Sequence, residues 1–170
     1  MRTIIPGIKL SLLFFITMLS SNCSSTRNTT SYKNDSSLSA IKNMIDMHKF
    51  VFVAETMSPL RGRLRNLTSG YDVRVSPDTL MSDLPYFGRA YTAPLDPSQG
   101  GIKFTSTKFS YDVSQEKSNK WNIVIRPGDG QDVRQLIFTV FENGTASLNV
   151  TSNSRDAISF NGRLKKRDRD

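Results

Sequence analysis

The sequence predicts a mainly β domain at the margin of the α+β class: an antiparallel meander that forms a curved sheet or a partly closed barrel, with one short N-terminal helix packed on it. Three observations lead to this prediction. Apolar and polar side chains alternate with a period of two from residue 49 onward, which is the pattern of half-buried strands. Turn-forming residues separate these segments at short intervals, as in a meander. Before them, apolar residues recur at helical spacing.

The helix is predicted over residues 37–48, and Asp35 or Ser36 can cap its first turn. Its apolar positions follow helical spacing: Leu38, Ile41, Ile45 and His48. His48, the only histidine, falls on this apolar face. We therefore expect a partly buried side chain with satisfied hydrogen bonds at this position.

Alternating segments mark the strands, and they include residues 50–55, 71–75, 102–104, 109–113, 121–125, 146–150 and 158–160. Val133–Phe141 is apolar on both faces, which indicates a central strand. Glu142-Asn143-Gly144 predicts a tight turn, because asparagine and glycine tolerate the positive φ that a hairpin requires. We see no internal repeat and expect one domain over residues 37–164, followed by a basic tail at residues 165–170.

Residues 1–22 are predicted to be a signal peptide. Arg2 and Lys9 precede an apolar run at residues 10–19, which has the length of a secretory h-region. A bilayer span needs roughly 20 apolar residues, and no second apolar run follows. We expect an exported protein that faces the periplasm or is exposed at the surface, and whose mature chain has no transmembrane helix.

The only cysteine, Cys23, lies just past the apolar run, where a bacterial lipoprotein carries its acyl anchor. Acyl chains on this sulfur would bind the outer membrane at about 0.8 kcal/mol per buried methylene. Ordinary cleavage nearby is the alternative, because Ser20-Ser21-Asn22 departs from the favoured pattern before a lipidated cysteine. With Cys23 acylated, no thiol remains for a disulfide or a nucleophile. Residues 23–36 are rich in Ser, Thr and Asn and are predicted to form a flexible tether.

One aromatic segment, LPYFGRAY at residues 84–91, is the candidate site for a ligand or partner. Pro85 and Gly88 interrupt regular structure, while Arg89 offers a planar fork of five donors. In one interpretation four side chains line a ligand site: Tyr86, Phe87, Arg89 and Tyr91. In the other, the aromatic residues form a corner that seals one end of the sheet, and Arg89 donates to backbone carbonyls.

Four shorter segments accompany LPYFGRAY: Gly100-Gly101-Ile102-Lys103-Phe104, the strand around Trp121, Asn143-Gly144 and Ile158-Ser159-Phe160-Asn161-Gly162. Together they resemble domain-of-unknown-function family 4251, which consists of secreted, often lipoprotein-like proteins of Bacteroidetes. The resemblance covers residues 49–164 and implies a bacterial envelope origin and a shared fold. It implies no activity, because the family has none established. Phe160 stands where the family leads us to expect a tyrosine.

The chain is basic, with a formal net charge of +8, of which Arg2 and Lys9 belong to the predicted signal peptide. Arg61, Arg63 and Arg65 alternate and can line one face of a strand. One interpretation is contact of these arginines with anionic lipid headgroups or acidic glycans, and the alternative is a solvated basic loop. Nucleic acid is not expected as a partner, because no recognition motif is present and an exported protein is separated from the nucleic acid of the cell.

Catalytic constellations are mostly missing from the sequence. One histidine cannot form a multi-histidine metal site or a catalytic triad, and no cofactor-binding motif is present. We therefore predict no catalytic residue, no metal site and no cofactor. Asp129 and Asp132 lie in a predicted turn and are interpreted as solvated acids. A hydrolase remains an alternative only if two carboxylates that are distant in sequence act as an acid/base pair. Asp78-Thr79-Leu80 matches the acceptor triplet of Bacteroidetes O-glycosylation.

Together these features predict an exported, lipid-anchored envelope protein that acts as a ligand-binding or accessory module. Its expected partners are the membrane, through the acyl anchor, and a small molecule, a glycan or an envelope protein. The alternative is a structural protein that docks an envelope partner through a sheet edge or through the loop that carries Arg61, Arg63 and Arg65.

Overall fold

The helix and strands follow one another in the order that the alternation predicts. The structure is a computed structural model, and it describes residues 29–68, 70–91, 100–116 and 119–167. Helix α1 spans Thr29–Asp46. The strands are β1 (Phe50–Pro59), β2 (Arg65–Asn66), β3 (Asp72–Val75), β4 (Leu80–Leu84), β5 (Ile102–Ser106), β6 (Phe109–Glu116), β7 (Lys120–Pro127), β8 (Val133–Phe141), β9 (Thr145–Ser152) and β10 (Ile158–Lys165).

Nine of the strands form one antiparallel sheet in the order β5-β4-β3-β1-β10-β9-β8-β7-β6, and the short β2 pairs with β1. Because neighbours alternate in direction along this order, the two outer strands β5 and β6 run in the same direction. Only Thr107 and Lys108 separate them, so they form one long bent strand that pairs first with β4 and then with β7. The sheet is thus nearly closed into a barrel, which confirms the predicted meander.

The interior of the barrel is filled by its own side chains. Phe50, Phe52, Phe138 and Phe160 are fully buried, and the Phe138 ring meets Phe50 and Phe52 edge to face at centroid distances of 5.8 and 5.6 Å. Such aromatic pairs add about 0.5–1.5 kcal/mol each to the gain from burial. Since these rings occupy the interior of the sheet, a ligand site at the aromatic segment has to lie outside that interior.

The first and last strands of the barrel approach each other closely at Gly162. This glycine lies opposite Ala54 in the pairing of β1 with β10, next to a bulge at Glu55. A Cβ atom at position 162 would overlap with the backbone carbonyl oxygen of Val53. A residue without a side chain is therefore required where the barrel closes.

Helix α1 begins at Thr29, eight residues before the predicted start at residue 37, and residues 29–36 of the predicted tether are helical. Its apolar face explains the extension: Ile41 and Ile45 are buried against the barrel. Once this packed turn exists, each added residue gains one hydrogen bond, so weak helix formers can lengthen the helix. Residues 1–28, which include the predicted signal peptide and Cys23, lie outside the described residues.

The helix ends two residues earlier than predicted, because His48 adopts a left-handed conformation with φ of 51°. The amides of His48 and Lys49 donate to the carbonyls of Ile45 and Met44 at 3.0 and 2.9 Å, which is a Schellman cap. His48 is partly buried, as predicted, but it lies beyond the helix. Its ring stacks on Tyr111 of β6 at 3.8 Å, and the Tyr111 hydroxyl donates to the Ile45 carbonyl at 3.1 Å. Burial raises the pKa of the Tyr111 phenol, so this donor stays protonated.

Replacing Gly162 with alanine should destabilise the protein by about 3 kcal/mol, because β1 and β10 must separate to admit the methyl group. Urea unfolding followed by far-UV circular dichroism measures the change. Gly128→Ala is the matched control, since its added Cβ would lie 3.4 Å from the Lys108 carbonyl oxygen, an ordinary contact distance. Equal stability of the two variants would contradict the closure that we describe.

Candidate functional site

Three loops that are distant in sequence gather at one end of the barrel. Strands β1, β4 and β9 run in the same direction, so the loops that follow them leave from the same end. These loops are residues 60–64, which we call the arginine loop, the aromatic segment 85–91, and residues 153–157. The candidate site therefore combines two predicted segments with a third that no sequence pattern indicated.

Tyr86 joins the aromatic segment to the loop after β9. Its ring packs partly buried against the core, and its hydroxyl donates to the backbone carbonyls of Arg89 and Asp156 at 2.8 and 3.2 Å. The Asp156 amide donates back to the Arg89 carbonyl at 3.0 Å, and the Tyr91 amide donates to the Ser154 carbonyl at 2.7 Å. These bonds fix the two loops against each other and confirm an aromatic corner at Tyr86.

Gly88 allows this corner to form. A Cβ atom at position 88 would lie 2.7 Å from the Tyr86 hydroxyl oxygen, which is closer than carbon and oxygen approach without a bond. Burial, with the charge of Asp156 adding to it, raises the pKa of the Tyr86 phenol, so the hydroxyl keeps the proton that it donates. The close approach of the Tyr86 hydroxyl thus explains why LPYFGRAY carries a glycine at position 88.

Arg155 makes a backbone contact of the kind that one of the two interpretations predicted for Arg89. Its guanidinium donates to the Gly101 carbonyl at 2.8 Å, lies 3.6 Å from the Asp132 carboxylate, and stands 5.2 Å from the centre of the Tyr86 ring. The sequence offered no signal for Arg155, because its partners come from three separate segments. The structural role predicted for Arg89 is therefore filled by a residue from the loop after β9.

Asp129 and Asp132 hold turns together. Asp129 accepts hydrogen bonds from the buried Ser106 hydroxyl at 2.9 Å and from the Thr107 amide at 3.3 Å, at the bend between β5 and β6. Asp132 accepts from the Ser154 hydroxyl and amide at 2.8 and 3.1 Å. Both carboxylates are thus hydrogen-bonded within the fold, and both remain partly accessible to solvent.

The remaining predicted side chains of the aromatic segment point outward. Phe87 and Tyr91 are exposed over 45% and 63% of their surface, and Arg89 is exposed as well. The Arg89 guanidinium stands 5.8 Å from the centre of the Tyr91 ring. Arg89 therefore contributes to the outer surface and does not line an internal cavity.

The arginine loop and the start of β2 meet the aromatic segment at this surface. The Arg65 guanidinium stands 4.6 Å from the centre of the Phe87 ring, a cation–π contact. Arg61 is close enough to Tyr91 for its charge to act on the phenol. Only Arg65 lies on a strand, whereas Arg61 and Arg63 lie in the arginine loop, so the predicted single strand face is wrong. We call Arg61, Arg65, Phe87, Arg89 and Tyr91 the arginine–aromatic face.

Tyr91 links this face to Asp156, because its hydroxyl donates to the Asp156 carboxylate. That hydrogen bond raises the pKa of the Tyr91 phenol, and loss of hydration and the charge of Asp156 add to the rise. The charges of Arg89 and Arg61 act in the opposite direction. Tyr91 is consequently a neutral donor at physiological pH.

Within the described ranges, no group of three or more histidine, cysteine, aspartate or glutamate side chains is arranged to hold a metal ion. The same residues include no helix that is long and apolar enough to cross a bilayer. A polar crevice of about 50 Å³ lies beside Gly101, Asp132 and Arg155. Its volume suits one or two water molecules rather than an organic ligand.

The fold and the surface define a small antiparallel barrel with a filled interior and an outward arginine–aromatic face. The sequence profile of the family described as "Domain of unknown function (DUF4251)" matches residues 32–164. The chain belongs to this family, as the segments around LPYFGRAY indicated.

The fold also matches the crystal structure of a DUF4251 family protein from Bacteroides eggerthii DSM 20697, with a TM-score of 0.54 and 18% sequence identity. The match covers 79% of this chain and 88% of the other chain. At this identity the likeness establishes the fold alone. A comparison with curated proteins found no match.

Replacing Tyr86 with phenylalanine should lower the free energy of unfolding by about 1 kcal/mol, because the donor to Arg89 and Asp156 is lost without a change of ring packing. Chemical unfolding measures this loss, and amide hydrogen exchange at residues 89–91 should accelerate. Tyr91→Phe removes an exposed hydroxyl and should change stability less. If Tyr91→Phe were the more damaging variant, the corner would not depend on Tyr86.

Proposed function

We propose that this protein is an exported, lipid-anchored module of the cell envelope, held at the outer membrane by acyl chains on Cys23, and that it binds an anionic envelope component through the arginine–aromatic face. The observation that carries the proposal is the contact of Arg65 with Phe87. It brings together two segments that sequence analysis selected independently.

The anchor half of the proposal rests on sequence. The apolar run at residues 10–19 is too short to span a bilayer, and Cys23 follows it at the position of a lipoprotein anchor. A protein tethered by acyl chains stays close to the membrane, so weak contacts elsewhere on its surface gain from a high local concentration. A module of this kind needs no catalytic residues.

The binding half rests on composition and exposure. Arginine and aromatic side chains are enriched where protein surfaces make energetically important contacts. Phe87 and Tyr91 contribute little to the barrel core, since both are largely exposed. The guanidinium of Arg65 over the Phe87 ring also limits the freedom of both side chains, which reduces the entropy lost on binding.

A second candidate function is docking of an envelope protein along a sheet edge. Strand β6 pairs with β7 and is exposed over its second half, from Val113 to Glu116. An extended segment of a partner can add to such an edge through main-chain hydrogen bonds. Ser114→Pro would remove a main-chain donor from β6, and no residue of the arginine–aromatic face lies on that strand.

Replacing Cys23 with alanine tests the anchor. We expect the variant to lose radiolabelled fatty acid and to move from the membrane fraction to the soluble fraction, with Ser25→Ala as the matched control. Membranes should be washed in roughly 1 M salt, where the Debye length falls to about 3 Å and electrostatic contacts of the arginines are screened. Unchanged labelling and unchanged membrane retention would overturn the lipoprotein assignment.

A further inference from the structure

We infer that the anionic component bound by the arginine–aromatic face is the headgroup layer of a bilayer, so that the domain makes a second, reversible membrane contact besides its acyl anchor. This inference deepens the proposed function and rests on it for the identity of the face. The occupant is a lipid surface, because exposed apolar side chains and positive charge without an ion-pair partner lie together at this end of the barrel.

Exposed apolar side chains concentrate at this end of the barrel. Among the described residues, eight large apolar side chains are exposed, and four of them belong to the arginine loop and the aromatic segment: Leu60 at 64%, Leu64 at 60%, Phe87 at 45% and Tyr91 at 63%. The other four are distributed over the helix end and three strands: Met47, Met81, Val113 and Phe141. Two adjacent loops with leucine and aromatic tips have the composition of a segment that inserts into a membrane interface.

Positive charge without an ion-pair partner concentrates at the same place. Within the described part of the chain, Arg61, Arg63, Arg65 and Arg89 form no ion pair with a carboxylate within 4.0 Å. By contrast, three arginines on the strands are paired at 2.8–3.1 Å: Arg74 with Asp72, Arg126 with Asp112, and Arg163 with Glu55. Asp156 is the acidic group bonded to the face, through Tyr91. The net charge of the face is therefore positive.

A bilayer explains both observations better than a soluble polyanion does. Acidic glycans would use the arginines, but the aliphatic tips of Leu60 and Leu64 offer them no hydrogen bond and would stay exposed to water. In a bilayer interface the arginines contact the headgroup phosphates. The leucine, phenylalanine and tyrosine side chains move out of water and pack beside the acyl chains. An anionic group that arginine can bind is common to both kinds of partner. The exposed apolar side chains favour the lipid surface.

The inference is tested with a chain that lacks residues 1–22 and carries Cys23→Ala, so that neither the apolar run nor an acyl chain is present. Among the described residues, the buried core lies between Ile41 and Leu164, and the residues removed are those of the predicted signal peptide. Flotation with phosphatidylglycerol vesicles and with phosphatidylcholine vesicles gives the partition coefficients. We expect binding to the anionic vesicles only, and weaker binding as salt is raised.

The charge contribution is separated by two triple variants with the same change in net charge. Each arginine near an anionic surface accounts for about a fivefold change in partitioning, so Arg61→Gln/Arg65→Gln/Arg89→Gln should lower it about 100-fold. The control removes the paired arginines instead: Arg74→Gln/Arg126→Gln/Arg163→Gln. It should retain most of the binding, and circular dichroism of both variants should match the parent chain.

The apolar contribution is tested in the same way. Leu60→Ser/Leu64→Ser should reduce binding to anionic vesicles at least tenfold, whereas the control Met47→Ser/Val113→Ser should not. Equal binding to neutral and anionic vesicles, equal losses in the two arginine variants, or binding to soluble alginate without binding to vesicles would each overturn the inference. Because the chain carries no acyl group, failure here leaves the Cys23 labelling result standing, and failure of the labelling leaves this result standing.

Discussion

The packing of Phe50, Phe52, Phe138 and Phe160 inside the barrel is the constraint on which the other features depend. A domain of this size without a disulfide among its described residues is held mainly by burial of apolar surface, and these rings supply a large share of it. They also occupy the volume in which many β barrels hold a ligand. Binding is therefore directed to the outer surface and to the loops at the barrel ends.

Closure of the barrel sets where those loops lie. Gly162 lets β1 approach β10, and Asp129 fixes the bend between β5 and β6 through Ser106 and Thr107. With both contacts in place, the loops after β1, β4 and β9 leave from one end, and Tyr86 joins two of them. The arginine–aromatic face is thus a consequence of how the barrel closes.

Sequence reasoning predicted the local elements and missed the contacts that depend on register. Strand alternation was sufficient for β1 and β7, because one face of each is buried, and Asn143-Gly144 forms the predicted turn, with Gly144 at a φ of 79°. The pairing of β10 between β1 and β9 is not encoded in any local pattern. For that reason the sequence could not predict the contact of Arg65 with Phe87 or the role of Arg155, and it left two interpretations of Arg89 open.

Hydrogen exchange of the chain without residues 1–22, measured by mass spectrometry with and without anionic vesicles, tests most directly whether the outer face is the functional surface. We predict slower exchange in residues 60–66 and 86–91 when vesicles are present, and unchanged exchange in β7, whose amides are already paired within the sheet. Slower exchange confined to the exposed half of β6, or no change anywhere, would contradict the account.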